Sequence, residues 1–256
     1  MDVDAVQPWH ELPLPAPWRR LEVVPSTPST QDAVVASAGS DSGVVVVATE
    51  QTSGRGRLDR TWTSPPGAGL WFSALLRTQW PVADVGVVPL LSAVAIARTL
   101  NQDCGLASSV KWPNDVLVND AKIAGVLVQL VNSDSVVIGV GINTSMTLEQ
   151  RPITTATSLT IEGVVDFDHP QLLMSILGHL GELVGPIEED GSWPSDVLDE
   201  YRALSSTVGR EVAVHLPSGQ TLSGLAVDLD PYGRLEVQDA DGIVVTVGAG
   251  DVVHVR

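Results

Sequence analysis

Cysteine is almost absent from this chain, since Cys104 is the only one among 256 residues. A single cysteine excludes an internal disulfide and favours a reducing compartment such as the cytosol. No second cysteine and no histidine lies near it at the spacing of metal ligands. We therefore expect a small buried residue at this position, not a reactive thiol.

Targeting and membrane signals are also missing from the sequence. The first twenty residues, "MDVDAVQPWHELPLPAPWRR", contain neither the basic region nor the apolar region of a signal peptide. No apolar run reaches the roughly 18 residues that a membrane helix needs. These observations predict a soluble, cytoplasmic protein without a membrane partner.

Positive charge is scarce: 14 lysines and arginines stand against 31 acidic residues, for a net charge of −17. Such a charge repels phosphates at long range, which disfavours nucleic acid as a partner. Any anion must therefore be bound by local groups. Hydrophobic residues make up 44% of the chain and charged residues 18%, which predicts a sizeable core and excludes a disordered acidic chain.

The order of the hydrophobic patterns predicts a mixed α+β domain followed by a small all-β module. Residues 1–25 are proline-rich, and we expect an extended arm without regular structure. Residues 26–206 contain apolar strands at 43–51, 69–77 and 135–143, two or three short strands within 109–131, and a hairpin turn at Asn119-Asp120. Residues 207–256 contain short strands separated by glycine, aspartate or proline, as in a small barrel.

Four helices are expected between residues 26 and 206. Ser29 is the expected N-cap of the first, with Asp32 at the third helical position, and Gly39 ends this helix. Apolar residues nearly all round predict a buried helix at 87–102. The third helix covers 168–186 and ends at Gly185-Pro186. The fourth covers 194–206.

The segment "GRGRLDR" (54–60) concentrates three arginines in a chain that is poor in positive charge. Successive backbone N–H groups in a glycine-rich segment can bind an anion, and arginine adds charge-assisted hydrogen bonds. A loop of this kind is mobile when empty and ordered by a phosphate compound. Taken alone, the segment is explained equally well as a solvated surface turn. The P-loop spacing GxxxxGK[ST] is absent.

Both lysines of the chain, Lys111 and Lys122, lie in "KWPNDVLVNDAK". One interpretation makes them ordinary surface lysines. The other is that at least one contacts a phosphate or a carboxylate as a point charge. Their concentration in one segment favours the second interpretation.

Two further segments offer polar groups to a ligand. In "VIGVGIN", Gly139 and Gly141 end a hydrophobic strand and permit a ligand to pack closely, while Asn143 can present its amide to a purine edge or a polar head. The alternative is an ordinary strand-ending turn. "STQ" (29–31) offers hydroxyls and N–H groups at a helix start, or is a plain helix cap.

The sequence shows no Ser-His-Asp arrangement, metal-ligand cluster or paired carboxylates, and its five histidines are scattered. General-base catalysis by histidine is therefore not expected. A reaction that depends on positioning and charge stabilisation fits these residues better.

The segments "TEQTSGRGRLDRTW", "KWPNDVLVNDAKIAGVLVQL" and "VIGVGIN" and the C-terminal β module, in that order, resemble the biotin protein ligase family from about Ser26 onwards. The resemblance implies a mixed β-sheet flanked by helices, as in class II synthetases, followed by an SH3-like β-barrel. It implies an ATP-dependent ligase that converts biotin and MgATP to biotinyl-5′-AMP and pyrophosphate. The biotinyl group then passes to one lysine on the biotin carboxyl carrier domain of an acyl-CoA or pyruvate carboxylase.

The resemblance also implies roles for particular residues. The biotin site would contain Ser29, Thr30, Gln31, Gln51, Gly54, Arg55, Gly56, Arg57, Lys122, Gly125 and Gly141. The nucleotide site would contain Arg57, Arg60, Trp62, Lys122 and Asn143. Catalysis would involve Arg57, Lys111, Lys122 and Asp115, where Asp115 either assists the transfer step or holds the metal and the lysines. ATP and Mg²⁺ enter as co-substrate, and no metal ligand is assigned to the protein.

The sequence departs from the family pattern at three places. Gln31 stands where the family usually has asparagine, which shifts the amide relative to the ureido group of biotin. Leu58-Asp59 replace a basic or small pair, and Asp59 lowers the local positive potential, so Arg55 and Arg57 are stronger candidates than Arg60. The segment "TLEQRPITTATSL" contains no tryptophan to stack on adenine.

Two other interpretations stay open at this point. A lipoate–protein ligase or octanoyl transferase shares the catalytic architecture, although "GRGR" with "KWPND" favours biotin. A non-enzymatic nucleic-acid-binding module is the alternative from a different class, and the net charge opposes it. Only about 25 residues precede the catalytic domain, so we expect a monofunctional ligase without a helix-turn-helix domain, and a monomer.

Overall fold

The computed structural model describes residues 9, 13–58, 60–78, 85–190 and 195–255. Within them, seven strands form the larger of two sheets: β1 (Arg20–Thr27), β2 (Val44–Gln51), β3 (Gly69–Arg77), β4 (Ser108–Lys111), β5 (Asp115–Val118), β6 (Ala121–Val131) and β7 (Ser135–Asn143). Their order is β1-β2-β3-β7-β6-β5-β4. β1 runs parallel to β2 and the other neighbours are antiparallel, which confirms the predicted mixed sheet.

The centre of this sheet is built from the continuous apolar runs of the sequence. The first five residues of β2 and all nine residues of β7 are buried. Strands covered on both faces need no alternation of polar and apolar residues, which explains these runs. The strands predicted at 43–51, 69–77 and 135–143 are confirmed.

The helices of the described residues are α1 (Thr30–Ala38), α2 (Val88–Asp103), α3 (His169–Asp190) and α4 (Ser195–Leu204). The Oγ atom of Ser29 accepts the N–H of Gln31 at 3.3 Å and so caps α1, and Gly39 ends that helix at φ 53°. α2 is buried on most sides, as its composition predicts. In the described part of the chain, no helix is long and apolar enough to cross a membrane.

A second sheet follows, made of β8 (Glu211–His215), β9 (Thr221–Leu229), β10 (Leu235–Gln238), β11 (Val244–Val247) and β12 (Asp251–His254). The order is β11-β10-β9-β8-β12, and the neighbours are antiparallel. Apolar side chains from alternate positions, including Val212, Val214, Leu235 and Val237, are buried on its inner face. The predicted all-β module is therefore confirmed, and we call it the small sheet.

Contacts of two kinds, a hydrogen bond and ion pairs, hold the small sheet against the rest of the molecule. The indole N–H of Trp112, a residue only 2% exposed, donates to the carbonyl of Gly233 at 3.0 Å. Arg202 of α4 forms an ion pair with Asp228 of β9 at 2.7 Å. Because Trp112 belongs to the "KWPND" segment, the small sheet helps to hold that segment in place.

The N-terminal arm is more regular than expected. We predict no regular structure before residue 26, yet β1 begins at Arg20 and pairs with β2 along its length. Trp18 is buried and donates its indole N–H to the carbonyl of Leu177 at 2.8 Å. The prediction was wrong because a parallel strand pair depends on a partner elsewhere in the chain, which local composition does not reveal.

The end of α3 also differs from the prediction. The helix continues through Gly185-Pro186 to Asp190, so the predicted stop at these residues was wrong. Proline removes one backbone N–H and disfavours the helix interior. Leu183 and Val184 are buried in the core immediately before it, and this packing stabilises the helix against the local preference.

Cys104 directly follows α2 and is half-buried. Burial raises the pKa of its thiol, and the charge of Asp103 acts in the same direction. Because the thiolate is the reactive form, this environment agrees with an inert cysteine.

Candidate functional site

A cavity of about 350 Å³ lies where the basic loop, residues 54–62, crosses the large sheet. Its walls come from the start of α1, the basic loop, the "KWPND" turn, β6, β7, the segment after β7, and β12. Most of the predicted site residues line it: Ser29, Thr30, Gln31, Gln51, Arg55, Gly56, Arg57, Arg60, Trp62, Asp115, Lys122, Gly125, Gly141 and Asn143. Segments that are far apart in the sequence therefore meet at one place.

Gly54 and Lys111 do not line this cavity, although we predict both as site residues. The carbonyl of Gly54 accepts the N–H of Trp62 at 2.8 Å, and a Cβ atom on Gly54 would lie 2.4 Å from the Trp62 carbonyl. Gly54 thus permits the close approach that folds the basic loop. Lys111 lies opposite Asp115 in the antiparallel backbone pairing of β4 and β5. Its catalytic role stays a prediction.

One end of the cavity presents hydroxyl and amide groups that form hydrogen bonds with one another. The backbone N–H and the Oγ1 of Thr30 donate to Oε1 of Gln51 at 2.9 and 3.1 Å. The Nε2 group of Gln51 donates to Oγ of Ser64 at 2.9 Å, and Oγ1 of Thr30 lies 2.8 Å from Oγ of Ser73. These bonds fix the orientation of polar groups beside Ser29, where a polar ligand head can be recognised.

Gln31 reaches across the floor of the same end. Its Nε2 group donates to the carbonyl of Leu127 at 2.7 Å, and the side chain occupies the space that a Cβ atom on Gly139 would need. Its Oε1 atom is buried and has no hydrogen-bond partner among the described residues. A buried acceptor of this kind favours a ligand N–H as its partner.

Trp62 covers the middle of the floor. A Cβ atom on Gly141 would lie 2.6 Å from the indole, and one on Gly125 would lie 2.9 Å from it. The sequence predicts that Gly141 permits close packing of a ligand. In the structure, the Trp62 indole occupies the space beside Gly141. Trp62 also meets Trp71 edge to face at 6.2 Å, and Nζ of Lys122 lies 5.1 Å from its ring centre.

The basic loop folds back on itself over the cavity. Arg55 and Thr61 form an isolated antiparallel bridge, and the N–H of Gly56 donates to the carbonyl of Arg60 at 2.7 Å. Leu58, near the tip, has a φ of 53°, in the left-handed region. The predicted effect of Asp59 falls outside the described residues.

Three cations of the cavity are paired with carboxylates. Arg55 pairs with Asp32 of α1 at 2.5 Å, Arg60 pairs with Asp251 of β12 at 2.5 Å, and Lys122 pairs with Asp115 at 2.6 Å. The sequence patterns missed Asp32 and Asp251 as partners of the basic loop, because nothing local connects them to it.

Arg57 differs from these cations because, among the described residues, it forms no ion pair within 4 Å. Its Nη1 group donates to Oδ1 of Asn114 at 3.2 Å, and Nδ2 of Asn114 donates to the carbonyl of Val126 at 2.7 Å. Burial lowers the pKa of Arg57, against the nearby charges of Asp115 and Asp251. A guanidinium stays charged under such conditions, so Arg57 offers the cavity a partly desolvated cation.

The far end of the cavity is more apolar. Asn143 uses its Nδ2 group to donate to the carbonyl of Thr157 at 3.0 Å. The segment after β7 supplies the wall beside it, through Met146, Pro152, Ile153 and Ala156. The residues of "TLEQRPITTATSL" that line the cavity are Gln150, Pro152, Ile153 and Ala156, so none of them is an aromatic partner for a purine.

These groups follow one another along a single strand. Gly139, Gly141 and Asn143 occupy alternate positions of β7 and line the same cavity. The side chain of Gln31 packs against Gly139, the indole of Trp62 packs against Gly141, and Asn143 ends the strand. The cavity therefore runs from amide and hydroxyl groups, past the cations, to the apolar wall, over about 14 Å of strand.

The described residues contain no group of three or more His, Cys, Asp or Glu side chains that could hold a metal ion. The available chemistry consists of fixed cations, polar anchors and a loop that covers the cavity. Such a site is suited to a small acid beside a phosphate compound, since its cations can neutralise charge that develops between them. The fold and the site thus define the class of carboxylate-activating ligases.

Comparison with known proteins identifies the family. Residues 21–143 match the biotin/lipoate A/B protein ligase family, and residues 207–255 match the biotin protein ligase C-terminal domain. A biotin–[acetyl-CoA-carboxylase] ligase from Mycobacterium tuberculosis is 37% identical over 246 residues, covering 93% of this chain and 90% of that protein. The bifunctional ligase/repressor BirA of Escherichia coli is 29% identical, covering 90% of this chain and 72% of that protein.

Solved structures agree with these matches. A biotin protein ligase from Aquifex aeolicus in complex with biotin and ATP has a TM-score of 0.78 and 27% identity, covering 93% of this chain and all of that chain. A biotin protein ligase from Leishmania major in complex with biotinyl-5-AMP has a TM-score of 0.60 and 26% identity, covering 90% and 99%. The chain belongs to the biotin protein ligase family.

Proposed function

We propose that this chain is an ATP-dependent ligase that joins biotin to a lysine of a carrier protein in two steps. Biotin and MgATP first give biotinyl-5′-AMP and pyrophosphate. The ε-amine of the acceptor lysine then attacks the mixed anhydride, which gives the biotinyl amide and AMP. The family match and the relatives named above support this reaction class.

The observation that carries the proposal is the order of groups along β7. Biotin has a polar bicyclic head, an apolar chain and a terminal carboxylate, and the nucleotide follows that carboxylate. The cavity presents polar groups at Gly139, then Lys122 beside Gly125, the strand partner of Gly141, and then an apolar wall beyond Asn143, in the same order. We assign the ring of biotin to the first end and adenosine to the last.

In the adenylation step, a carboxylate oxygen of biotin attacks the α-phosphorus of ATP, and the bond to the β-phosphate oxygen breaks. We assign neutralisation of the α-phosphate to Arg57 and Lys122, which approach the middle of the cavity. Arg60 and Arg55 carry further positive charge on the covering loop. Loop closure would also exclude water from the anhydride.

At the biotin end, we assign Thr30, Gln51 and the backbone around Ser29 to the ureido group. The buried Oε1 atom of Gln31 would accept a ureido N–H, so the longer glutamine side chain still reaches the ring. Gly56, Gly125 and Gly141 then act indirectly, because they permit the loop and the Trp62 indole to approach closely.

In the transfer step, the attacking amine of the carrier must lose a proton. Asp115 lines the cavity and contacts Lys122 at 2.6 Å. It is therefore placed either to assist this proton loss or to position Lys122. We favour a positioning role toward Lys122, because the carboxylate of Asp115 contacts the ammonium of Lys122 directly. Mg²⁺ would enter with the phosphates of ATP as part of the nucleotide substrate.

The acceptor we propose is the biotin carboxyl carrier domain of acetyl-CoA carboxylase, because a relative of nearly equal length carries that name. A pyruvate carboxylase carrier stays a prediction. We further propose a cytoplasmic location, where ATP and such carboxylases occur and where a single free cysteine is stable.

The decisive experiment is a biotin-dependent pyrophosphate release assay with the purified protein. We expect release with biotin and ATP, no release when either is omitted, and labelling of a carrier domain at lysine only. A carrier in which that lysine is replaced by arginine is the control. Tight binding of lipoate without binding of biotin, measured by isothermal titration, would instead identify a lipoate ligase.

A further inference from the structure

The basic loop is held at both sides by carboxylates from different parts of the fold. Arg55 pairs with Asp32 at the start of α1, and Arg60 pairs with Asp251 of β12, each at 2.5 Å. Between these contacts, the Gly56 N–H donates to the Arg60 carbonyl. The loop therefore extends across the cavity from α1 to the small sheet.

Asp251 is well placed to act as a fixed point. It begins β12, where it pairs with His215 of β8, so its backbone is set by the small sheet. Its side chain is 30% exposed, whereas that of Arg60 is 63% exposed. Asp251 also lines the cavity, although 191 positions separate it from Arg60 in the sequence.

We propose that Asp251 is a positioning residue that keeps the basic loop closed over the cavity by binding Arg60. The inference rests on the proposed ligase reaction but concerns the loop alone. Through this ion pair, the small sheet contributes to retaining the activated acid in the cavity. The pair also neutralises a carboxylate that would otherwise repel phosphates at the edge of the site.

The chain offers a matched control for this proposal. The ion pair between Arg202 and Asp228, at 2.7 Å, also joins the small sheet to the rest of the molecule, but neither residue lines the cavity. Asp251→Asn and Asp228→Asn each remove one carboxylate from such a pair while keeping the size of the side chain. Calorimetric melting of both variants reports any general loosening of the small sheet.

The first measurement is tryptic cleavage of the loop, because Arg55, Arg57 and Arg60 are all trypsin sites. With biotin and ATP present, we expect Asp251→Asn to be cleaved in the loop about threefold to fivefold faster than the unchanged protein, as befits a partly exposed pair. Asp228→Asn should be cleaved at the rate of the unchanged protein. Equal rates for all three proteins would overturn the proposal.

The second measurement is the escape of preformed biotinyl-5′-AMP from the protein after rapid removal of free ligand. We expect Asp251→Asn to release it about threefold to fivefold faster, and Arg60→Ala combined with Asp251→Asn to be no faster than either single variant. If the escape rate of the double variant rises by the product of the two single effects, the two residues act separately and the proposal is wrong. Slower escape from Asp251→Asn would show that Asp251 holds the loop away from the ligand.

These outcomes are distinct from a failure of the ligase proposal. If no biotin-dependent pyrophosphate is released by the unchanged protein, the proposed function is wrong. If pyrophosphate is released normally and Asp251→Asn matches Asp228→Asn in both measurements, only the role of Asp251 is wrong.

Discussion

At the scale of single residues, Arg57 and Lys122 differ in how their charge is held. Lys122 is paired with Asp115, whereas Arg57 is half-buried against the amide of Asn114. A cation without a directly bound carboxylate can give its full charge to an incoming phosphate. The pair with Asp115 orients Lys122 at the cost of part of its field.

We expect Arg57→Ala and Lys122→Ala each to lower the rate of adenylation about 10²–10³-fold, because each removes a preorganised cation from the reacting phosphate. The measurement is biotin-dependent pyrophosphate release at saturating substrates. Arg77→Ala is the control, since Arg77 pairs with Asp134 and does not line the cavity. Near-full activity of either site variant would refute the role assigned to that residue.

His169 makes stability depend on pH. Burial lowers the pKa of its imidazole from the ordinary value of 6.5, against the charge of Asp168, and Nε2 lies 2.8 Å from Oγ1 of Thr144. The folded protein binds this proton less well than the unfolded chain. The contribution is therefore complete above pH 6.5 and is lost as the pH falls through the lowered pKa.

We expect the free energy of unfolding to decrease between about pH 7.5 and about pH 5.5, and to decrease less in His169→Asn. Urea unfolding at both pH values gives the comparison. His254, whose pKa burial also lowers, contributes equally to both proteins and cancels in the difference. An identical pH dependence in the two proteins would contradict the assignment to His169.

At the scale of elements, the local patterns were good guides where the stabilising contact is itself local. The N-cap at Ser29 and the hairpin turn at Asn119-Asp120 are confirmed, and the two turn residues have left-handed φ values of 52° and 61°. These features depend on a few neighbouring residues. The continuation of α3 past Pro186 was missed because it depends on side chains packed from other elements.

The glycines of β6 and β7 allow a test at this scale. A Cβ atom on Gly141 would lie 2.6 Å from the Trp62 indole, whereas one on Gly178 in α3 would meet nothing within 4 Å. We expect Gly141→Ala to displace the indole and lower adenylation at least tenfold, since sub-ångström errors of placement are costly at a reacting centre. The fluorescence of Trp62, compared with a Trp62→Phe background, reports the displacement.

Gly178→Ala is the matched control for this change. It adds the same methyl group inside a helix, where alanine is favoured by about 1 kcal/mol over glycine. We expect unchanged adenylation and slightly greater stability. If Gly141→Ala keeps full activity with a shifted indole, the position of Trp62 is not important for the reaction.

At the scale of the whole molecule, the sequence motifs identified many of the polar and charged residues of the cavity, but not the contacts that connect its parts. "GRGR", "KWPND" and "VIGVGIN" carry their own chemistry, so many of the residues that line the cavity could be named in advance. Asp32 and Asp251 could not, because an aspartate is unremarkable until the fold places it beside an arginine. The strand β1 was missed because its partner, β2, lies elsewhere in the chain.

The indole of Trp112 tests whether the small sheet supports the site. Trp112→Phe replaces the indole with a smaller aromatic ring and leaves the Gly233 carbonyl without its donor, which should lower the free energy of unfolding by about 1–3 kcal/mol. Because Trp112 precedes Asn114 and Asp115 in the same short segment, we also expect slower adenylation. Urea unfolding and pyrophosphate release give the two quantities.

Trp18→Phe is the comparison for that variant. Trp18 also donates from a buried indole, to Leu177, but lies outside the cavity. A similar loss of stability with unchanged adenylation is expected. If both variants slow adenylation equally, the effect of Trp112 reflects general destabilisation.

The strand β7 has a consequence for which acids this protein accepts. Its backbone and that of β6 set the spacing between the polar groups at Gly139 and Lys122 beside Gly125, and both flanking strands hold β7 by hydrogen bonds. The spacing therefore does not adjust to the ligand. Acids with the same ring but a chain one methylene shorter or longer should be activated about tenfold less well or worse, so the protein selects by length as well as by head group.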